Sequence, residues 1–212
     1  NKGSYITLFI GIVFANILLM FGMMMKPLLT HYQDEIVNNM IAKYQYVLKT
    51  PVKVKDSEAE KYSMSALEIN RKSLQEEVSV YGITNNSKYV KFHVDNGYYI
   101  SNSLAEKYGL SEGEVITLKE KYSSKKYKFI IKGIVDYPSG IAVFTSIKNC
   151  NRIFDYDLDY FTGYFSNRKL NIDKENVLSI ITKTDLTKTS RQLNVSMGEM
   201  FNLINAFAIV LF

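Results

Sequence analysis

"GSYITLFIGIVFANILLMFGMMM", Gly3 to Met25, carries no charged side chain. A helix rises about 1.5 Å per residue, so roughly 20 residues cross the ~30 Å hydrocarbon core of a bilayer. Lys2 and Lys26 sit at the two ends, where long amines reach the headgroups. A cleaved signal peptide would have a shorter apolar region, about 7–15 residues, ending in a small-residue site. This run ends instead in Met23, Met24, Met25, Lys26 and Pro27. A buried core helix would carry a polar stripe. Asn16 is the only strongly polar side chain inside the run. The stretch is read as a membrane span.

The other end of the chain reads "MFNLINAFAIVLF", Met200 to Phe212, uncharged and without Pro or Gly. It is too short to span but long enough to begin a span. It is read as the start of a second transmembrane helix cut short. The competing reading is a buried C-terminal helix.

Between the two runs lies a segment long enough to fold by itself. At that length the positive-inside rule does not orient it. Lys and Arg number 26 against 21 Asp and Glu, for a net charge of +5. That is mildly basic and well short of a nucleic-acid signature. Cys150 is the only cysteine, which excludes an intrachain disulfide.

"PLLTHYQDEIVNNMIAKYQYVLK" places Leu29, Tyr32, Ile36 and Met40 on one helical face. It is read as a stalk continuing the membrane helix as far as about Tyr44, with Pro27 at the joint. Strand-like composition begins around Pro51. "KYSMSALEI", "EEVSVYGI" and "YVKFHV" read as strands, punctuated by "NRKS", "TNNSK" and "DNG". After a short strand, Ser101 or Asn102 caps the helix "SLAEKYG", which ends at Gly109. "VITLKEKY" and "YKFIIKGIVDY" form a hairpin across "SSKK". "GIAVFTS", "YFTGYFS" and "NVLSIITK" are further strands, and "IKNCNRIF" is a short helix. "TDLTKTSRQLNVSMGEM" is helical again, capped by Thr184, with Leu186, Leu193 and Met197 apolar.

Few residues suggest chemistry. His31 and His93 lie far apart in sequence with no ligand cluster, and zinc needs three or four ligands. Cys150 has no neighbouring His and reads as a small apolar residue. Asp155, Asp157 and Asp159 of "DYDLDY" resemble the start of a calcium loop. Tyr160 and Ser166 stand where such a loop needs Gly and Glu, so the motif fails. The alternation with Tyr156, Leu158 and Tyr160 reads better as an edge strand. No phosphate loop, Walker lysine or G-x-S-x-G is present. The expectation is therefore no catalytic, cofactor-binding or metal-binding residues, no cofactor, and no enzymatic activity. The basic turn "KEKYSSKKYK" is read first as a solvated hairpin tip and second as a contact to wall polymer or a partner protein.

"YYISNSLAEKYGLSEGEVITLKEKY", "YKFIIKGIVDY" and "AVFTS" together resemble the extracytoplasmic segment of FtsX/MacB-like ABC transporter permeases of the Gram-positive type. The matching positions are Ala105, Lys107, Gly109, Leu110, Gly113, Ile116, Leu118, Gly133, Ile134, Phe144 and Ser146, with Glu114 in place of the usual Asp. All are turn and packing positions. The specific part covers Tyr98 to Ser146, and the loop is short for a full MacB-type core. The resemblance implies an α+β extracytoplasmic domain, a mixed or antiparallel sheet with short helices, tethered by transmembrane and stalk helices. The expected layout is a first transmembrane helix over 1–26, stalk helix and entry strand over 27–48, and the extracytoplasmic domain over 49–183. A return stalk follows over 184–199, then the second span from 200 to 212.

The implied protein is a multi-pass cell-membrane permease that turns ATP hydrolysis by a cytoplasmic ABC ATPase subunit into work outside the membrane. That work is export, peptide resistance or hydrolase activation. Implied partners are that ATPase, a second permease copy or half, membrane lipid, and an extracellular peptide, lipoprotein or wall hydrolase, with no nucleic acid. A membrane-anchored sensor and a wall-binding ectodomain remain open. Single cysteines placed in the loop should react with a membrane-impermeant reagent in intact cells. Labelling only after lysis would put the loop on the cytoplasmic side.

Overall fold

The computed structural model describes residues 2–71 and 74–211. The chain divides into two compact units: one holds α1 (Lys2–Asn38) with the chain from Thr184 onward, the other is Asn39–Lys183.

In the first unit, α1 runs unbroken through Pro27. It is long and apolar enough to cross a membrane by length and composition. Its large side chains point outward; Phe9 is 68% exposed and Met20 61%. Ala15 and Gly22, both small, are its buried positions among the described residues. Small residues let helices approach closely, and α1 packs on α5 (Lys188–Leu211). Two polar groups of its apolar run are satisfied within the helix. Asn16 Nδ2 donates to the Ile12 carbonyl at 3.0 Å and Thr7 Oγ1 to that of Gly3 at 3.1 Å. This is the arrangement that apolar surroundings demand.

The second unit is built on strands β1 (Tyr44–Leu48), β2 (Glu60–Arg71), β3 (Leu74–Ile83) and β4 (Tyr98–Ser101). Helix α2 (Asn102–Tyr108) follows, then β5 (Val115–Lys119), β6 (Lys126–Val135) and β7 (Ala142–Ser146). Helix α3 (Ile147–Ile153), β8 (Gly163–Ser166), a 3-10 turn, β9 (Val177–Thr182) and α4 (Lys183–Leu186) complete the chain before α5. Among the described residues nine strands form one mixed sheet in the order β3-β7-β4-β6-β5-β2-β8-β1-β9, with β3 also paired to β2. That extra pairing closes β2, β3, β7, β4, β6 and β5 into a ring. Strands β3 and β7, and β4 and β6, run parallel; the other pairs are antiparallel. The expected α+β class with a mixed sheet is what the chain adopts.

Three cores result. One fills the ring, with Leu67, Val80, Leu118 and Phe129 packed on Leu104 of α2 and Cys150 of α3. A second joins Tyr62, Ile83, Phe144 and Phe165 to Val94 of the long loop before β4. A third holds Tyr46, Phe161, Tyr164 and Leu170. Helix α2 starts because Ser101 Oγ accepts the Leu104 N–H at 3.2 Å. It ends where Gly109 turns left-handed at φ 61 and Leu110 N–H returns to the Ala105 carbonyl at 2.9 Å.

Several sequence expectations are corrected. The stalk helix stops at Asn38 rather than reaching Tyr44, because Ile41 and Ala42 already belong to the second core and Lys43 N–H donates to Asn167 Oδ1. "YVKFHV", Tyr89 to Val94, forms no strand. Ser87 Oγ accepts from both Tyr89 N–H and Val90 N–H, and the buried Tyr89, Val90 and Val94 cover the second core as a loop. "DYDLDY" is a series of turns, because Asn151 Nδ2 donates to the carbonyls of Asp157 and Tyr160, at 3.1 and 2.7 Å, and curls it round itself. Past Pro51 the chain is irregular, pinned where Tyr164 OH donates to the Val52 carbonyl at 2.8 Å. Thr184 lies inside α4 rather than capping it. In the turn expected at "NRKS", Asn70 and Arg71 pair as strand, and Lys72 and Ser73 lie outside the described residues.

A Cβ on Gly163 would run into the Tyr46 carbonyl oxygen and the Tyr62 ring. Gly163→Ala should destabilise the domain by about 2 kcal/mol or more, read as a lower urea midpoint. Gly109→Ala, strained in φ alone with open space around it, should cost about 1 kcal/mol.

Candidate functional site

The β5–β6 hairpin carries the basic turn. Register pairs Lys119 with Lys126, Thr117 with Lys128, and Val115 with Ile130. Strand alternation sends Ile116, Leu118, Tyr127 and Phe129 into the ring and these six partners outward. Val115 is 54% exposed, Ile130 63% and Ile134 42%. The tip is ordered: Glu120 N–H donates to the Lys125 carbonyl at 3.0 Å, and Ser123 Oγ and Tyr127 OH donate to the Glu120 carboxylate at 2.5 and 2.6 Å. Those two hydroxyls hold the Glu120 carboxyl below its ordinary pKa. At the apex Tyr122 is 92% exposed.

The lysines differ in their partners. Lys125 pairs with Asp155 at 3.1 Å and lies 5.2 Å from the Tyr127 ring centre. Lys121 lies 5.7 Å from the Tyr122 ring centre. Lys132, further along β6, pairs with Asp95, whose carboxyl is pushed down to about 2 by that hydrogen bond and by the Gly97 N–H. Among the described residues, Lys119, Lys121, Lys126 and Lys128 make no ion pair.

Beside the tip is a cleft of about 440 Å³ lined by Ala66, Glu68, Glu77, Glu120, Lys121 and Tyr122. Register sets Glu68 opposite Glu77 on one side and Lys119 on the other. Gln75 Nε2 donates to the buried Glu68 carboxylate at 2.6 Å. Sequence reading finds neither the cleft nor the apolar residues beside the lysines, since both arise from pairing between strands.

The other sequence candidates are scattered. His31 lies exposed on α1 and His93 exposed in the loop before β4. Asp155 adopts φ 58 and is taken by Lys125. Among the described residues no group of three or more His, Cys, Asp or Glu is placed to hold a metal. Most of the positions that carry the family resemblance hold turns and core, while Lys107 and Ile134 are exposed. Gly109 and Gly113 are left-handed, Leu118 and Phe144 are fully buried, and Ser146 caps α3. Lys107 pairs with Glu76 at 2.6 Å.

No family model matches the chain, and no curated protein matches it. Among solved structures it is similar to the extracellular domain of the noncanonic ABC-type transporter YknZ from Gram-positive bacteria. The likeness covers 67% of this chain and 76% of that chain, at 14% identity and a TM-score of 0.35. At that score it carries no argument about fold or role.

Cys150 is wholly buried against Gly82, and burial pushes its thiol up to about 12. The group is neutral in the fold and ionises near 8.5 when unfolded, so its stabilising contribution is whole below that pH and is lost as pH rises. Unfolding free energy should fall by about 1.6 kcal/mol between pH 8.5 and 10 on this account. In Cys150→Ala, urea titrations across that range should show a shallower fall.

Proposed function

We propose that this chain is the extracytoplasmic domain of an ABC transporter permease together with the membrane helices that flank it. The observation that carries the reading is the layout. A helix with its large apolar side chains outward enters a folded α+β unit, and a second long helix, α5, leaves it. Among the residues that resemble the permease pattern, Gly109 and Gly113 in left-handed turns and Ala105, Leu110, Ile116 and Leu118 in the ring core support it. In this reading the domain lies outside the cytoplasm, the protein crosses the membrane more than once, and a separate ATPase subunit hydrolyses ATP. The chain catalyses nothing itself. It passes displacement from the membrane helices to the domain, and a second permease copy completes the transporter.

A stiff helix passes displacement along its axis, whereas a Gly-rich segment absorbs it. Thr189, Ser190, Arg191 and Gln192 lie in α5 just after it begins. Each Gly costs a helix about 1 kcal/mol relative to Ala. With all four replaced by Gly, the complex should assemble and hydrolyse ATP yet lose its output outside the membrane. With all four replaced by Ala, the output should persist. Equal behaviour of the two variants at normal expression would favour a sensor or wall-binding ectodomain.

A further inference from the structure

The outer face of β5–β6 is an uncovered piece of sheet on an otherwise filled ring. Val115 and Ile130 face each other across the strands, and Ile134 lies four residues along β6. Lys119, Lys126 and Lys128 stand at one end of this apolar strip, and Lys132 interrupts it. Like charges directly opposite one another destabilise a strand pair. Lys119 against Lys126 is such a pair, and neither makes an ion pair among the described residues, although Glu68 of β2 stands opposite Lys119 on its other side.

We propose that this face docks an acidic segment of a partner protein, with apolar side chains seated on Val115, Ile130 and Ile134 and carboxylates on Lys119, Lys126 and Lys128. The charge pattern is complementary to such a segment, and neutralising the opposed lysines removes their repulsion. An apolar centre with a charged rim is the anatomy of a protein interface. Lys126 and Lys128, two residues apart on one strand, project at about 7 Å spacing. Alternate carboxylates of an extended peptide repeat at the same interval. A phosphate polymer would engage the lysines but gain nothing from Val115 and Ile130. Tyr122, at the apex, supplies a large side chain of the kind that interfaces favour. This inference rests on the surface alone and stands or falls separately from the transport reading.

The test uses the full chain in nanodiscs of zwitterionic lipid and a labelled peptide Glu-Ser-Glu-Ser-Leu-Ser-Ser-Ser-Leu, which when extended presents its carboxylates and then its leucines on one face, read by fluorescence anisotropy. Lys126→Glu with Lys128→Glu should weaken binding about tenfold or more. Ile130→Ser should weaken it about fivefold. Lys53→Glu with Lys148→Glu, the same charge change on exposed residues elsewhere, should leave it unchanged. Lys126→Gln with Lys128→Gln serves if the Glu pair alters the thermal transition. Equal loss in the two Glu pairs would overturn the proposal, as would no effect of Ile130→Ser. Displacement of the peptide by polyphosphate or phosphatidylglycerol vesicles at lower concentration than by unlabelled peptide would also overturn it, pointing to an anionic polymer or lipid.

Discussion

Strand β2 has to belong both to the ring and to the strands that flank it, and the rest of the domain depends on how it does so. Strands are usually about 5–6 residues long. β2 has 12, and pairs with β3 from Ser63 to Arg71. Its other edge is divided: Glu60 to Tyr62 pair with β8, and Glu68 pairs with Lys119 of β5. The second contact closes the ring, and the first attaches β8, β1 and β9. Tyr62, where the two regions meet, is wholly buried. Its ring stacks on Phe165 at 4.2 Å and its hydroxyl donates to the Tyr46 carbonyl at 3.0 Å. Gln45 Nε2 donates to the Tyr62 hydroxyl oxygen at 3.4 Å. Burial pushes this phenol well above its ordinary pKa, so it remains a donor. Gly163 is required beside it because the β1 backbone and this ring leave no room for a side chain.

The same demand explains the tyrosines. The sequence has 16 of them and no Trp, which by itself reads as easily as a binding surface as a core. Several of those in the domain are structural: Tyr46, Tyr62, Tyr89, Tyr108 and Tyr164 are buried rings with hydroxyls placed on named partners. A core that reaches from ring to flanking sheet is thick, and a tyrosine spans it with an apolar body and a satisfied polar end. Tyr122, 92% exposed, is the barest of the described tyrosines.

What the sequence made legible was local. The uncharged run of α1, the Ser101 and Gly109 caps of α2, and the alternation of β6 each depend on a few neighbouring residues. What it hid was set by distant partners. "YVKFHV" has strand composition, yet Ser87 takes its N–H groups and the second core takes its side chains. The Asp155–Tyr160 loop is shaped by the fully buried Asn151, whose importance no periodicity announces. The basic turn was visible as a run of lysines. That Lys119 opposes Lys126, with Val115 and Ile130 beside them, required the register.

Register also explains how an unfavourable surface persists. Each outward lysine on β5–β6 is backed by an inward neighbour that is fully committed: Leu118 beside Lys119, and Tyr127 and Phe129 on either side of Lys128. Moving one strand by a single residue would relieve the lysine opposition but turn the core side chains out to solvent. Burying a Leu or Phe side chain is worth about 1.5–3 kcal/mol, against well under 1 kcal/mol for an exposed charge pair. The core therefore wins, and the lysines are held in a fixed array rather than on a mobile tail. Such an array loses little backbone freedom on meeting a partner, which is the physical advantage of placing a charged surface on the wall of a closed ring.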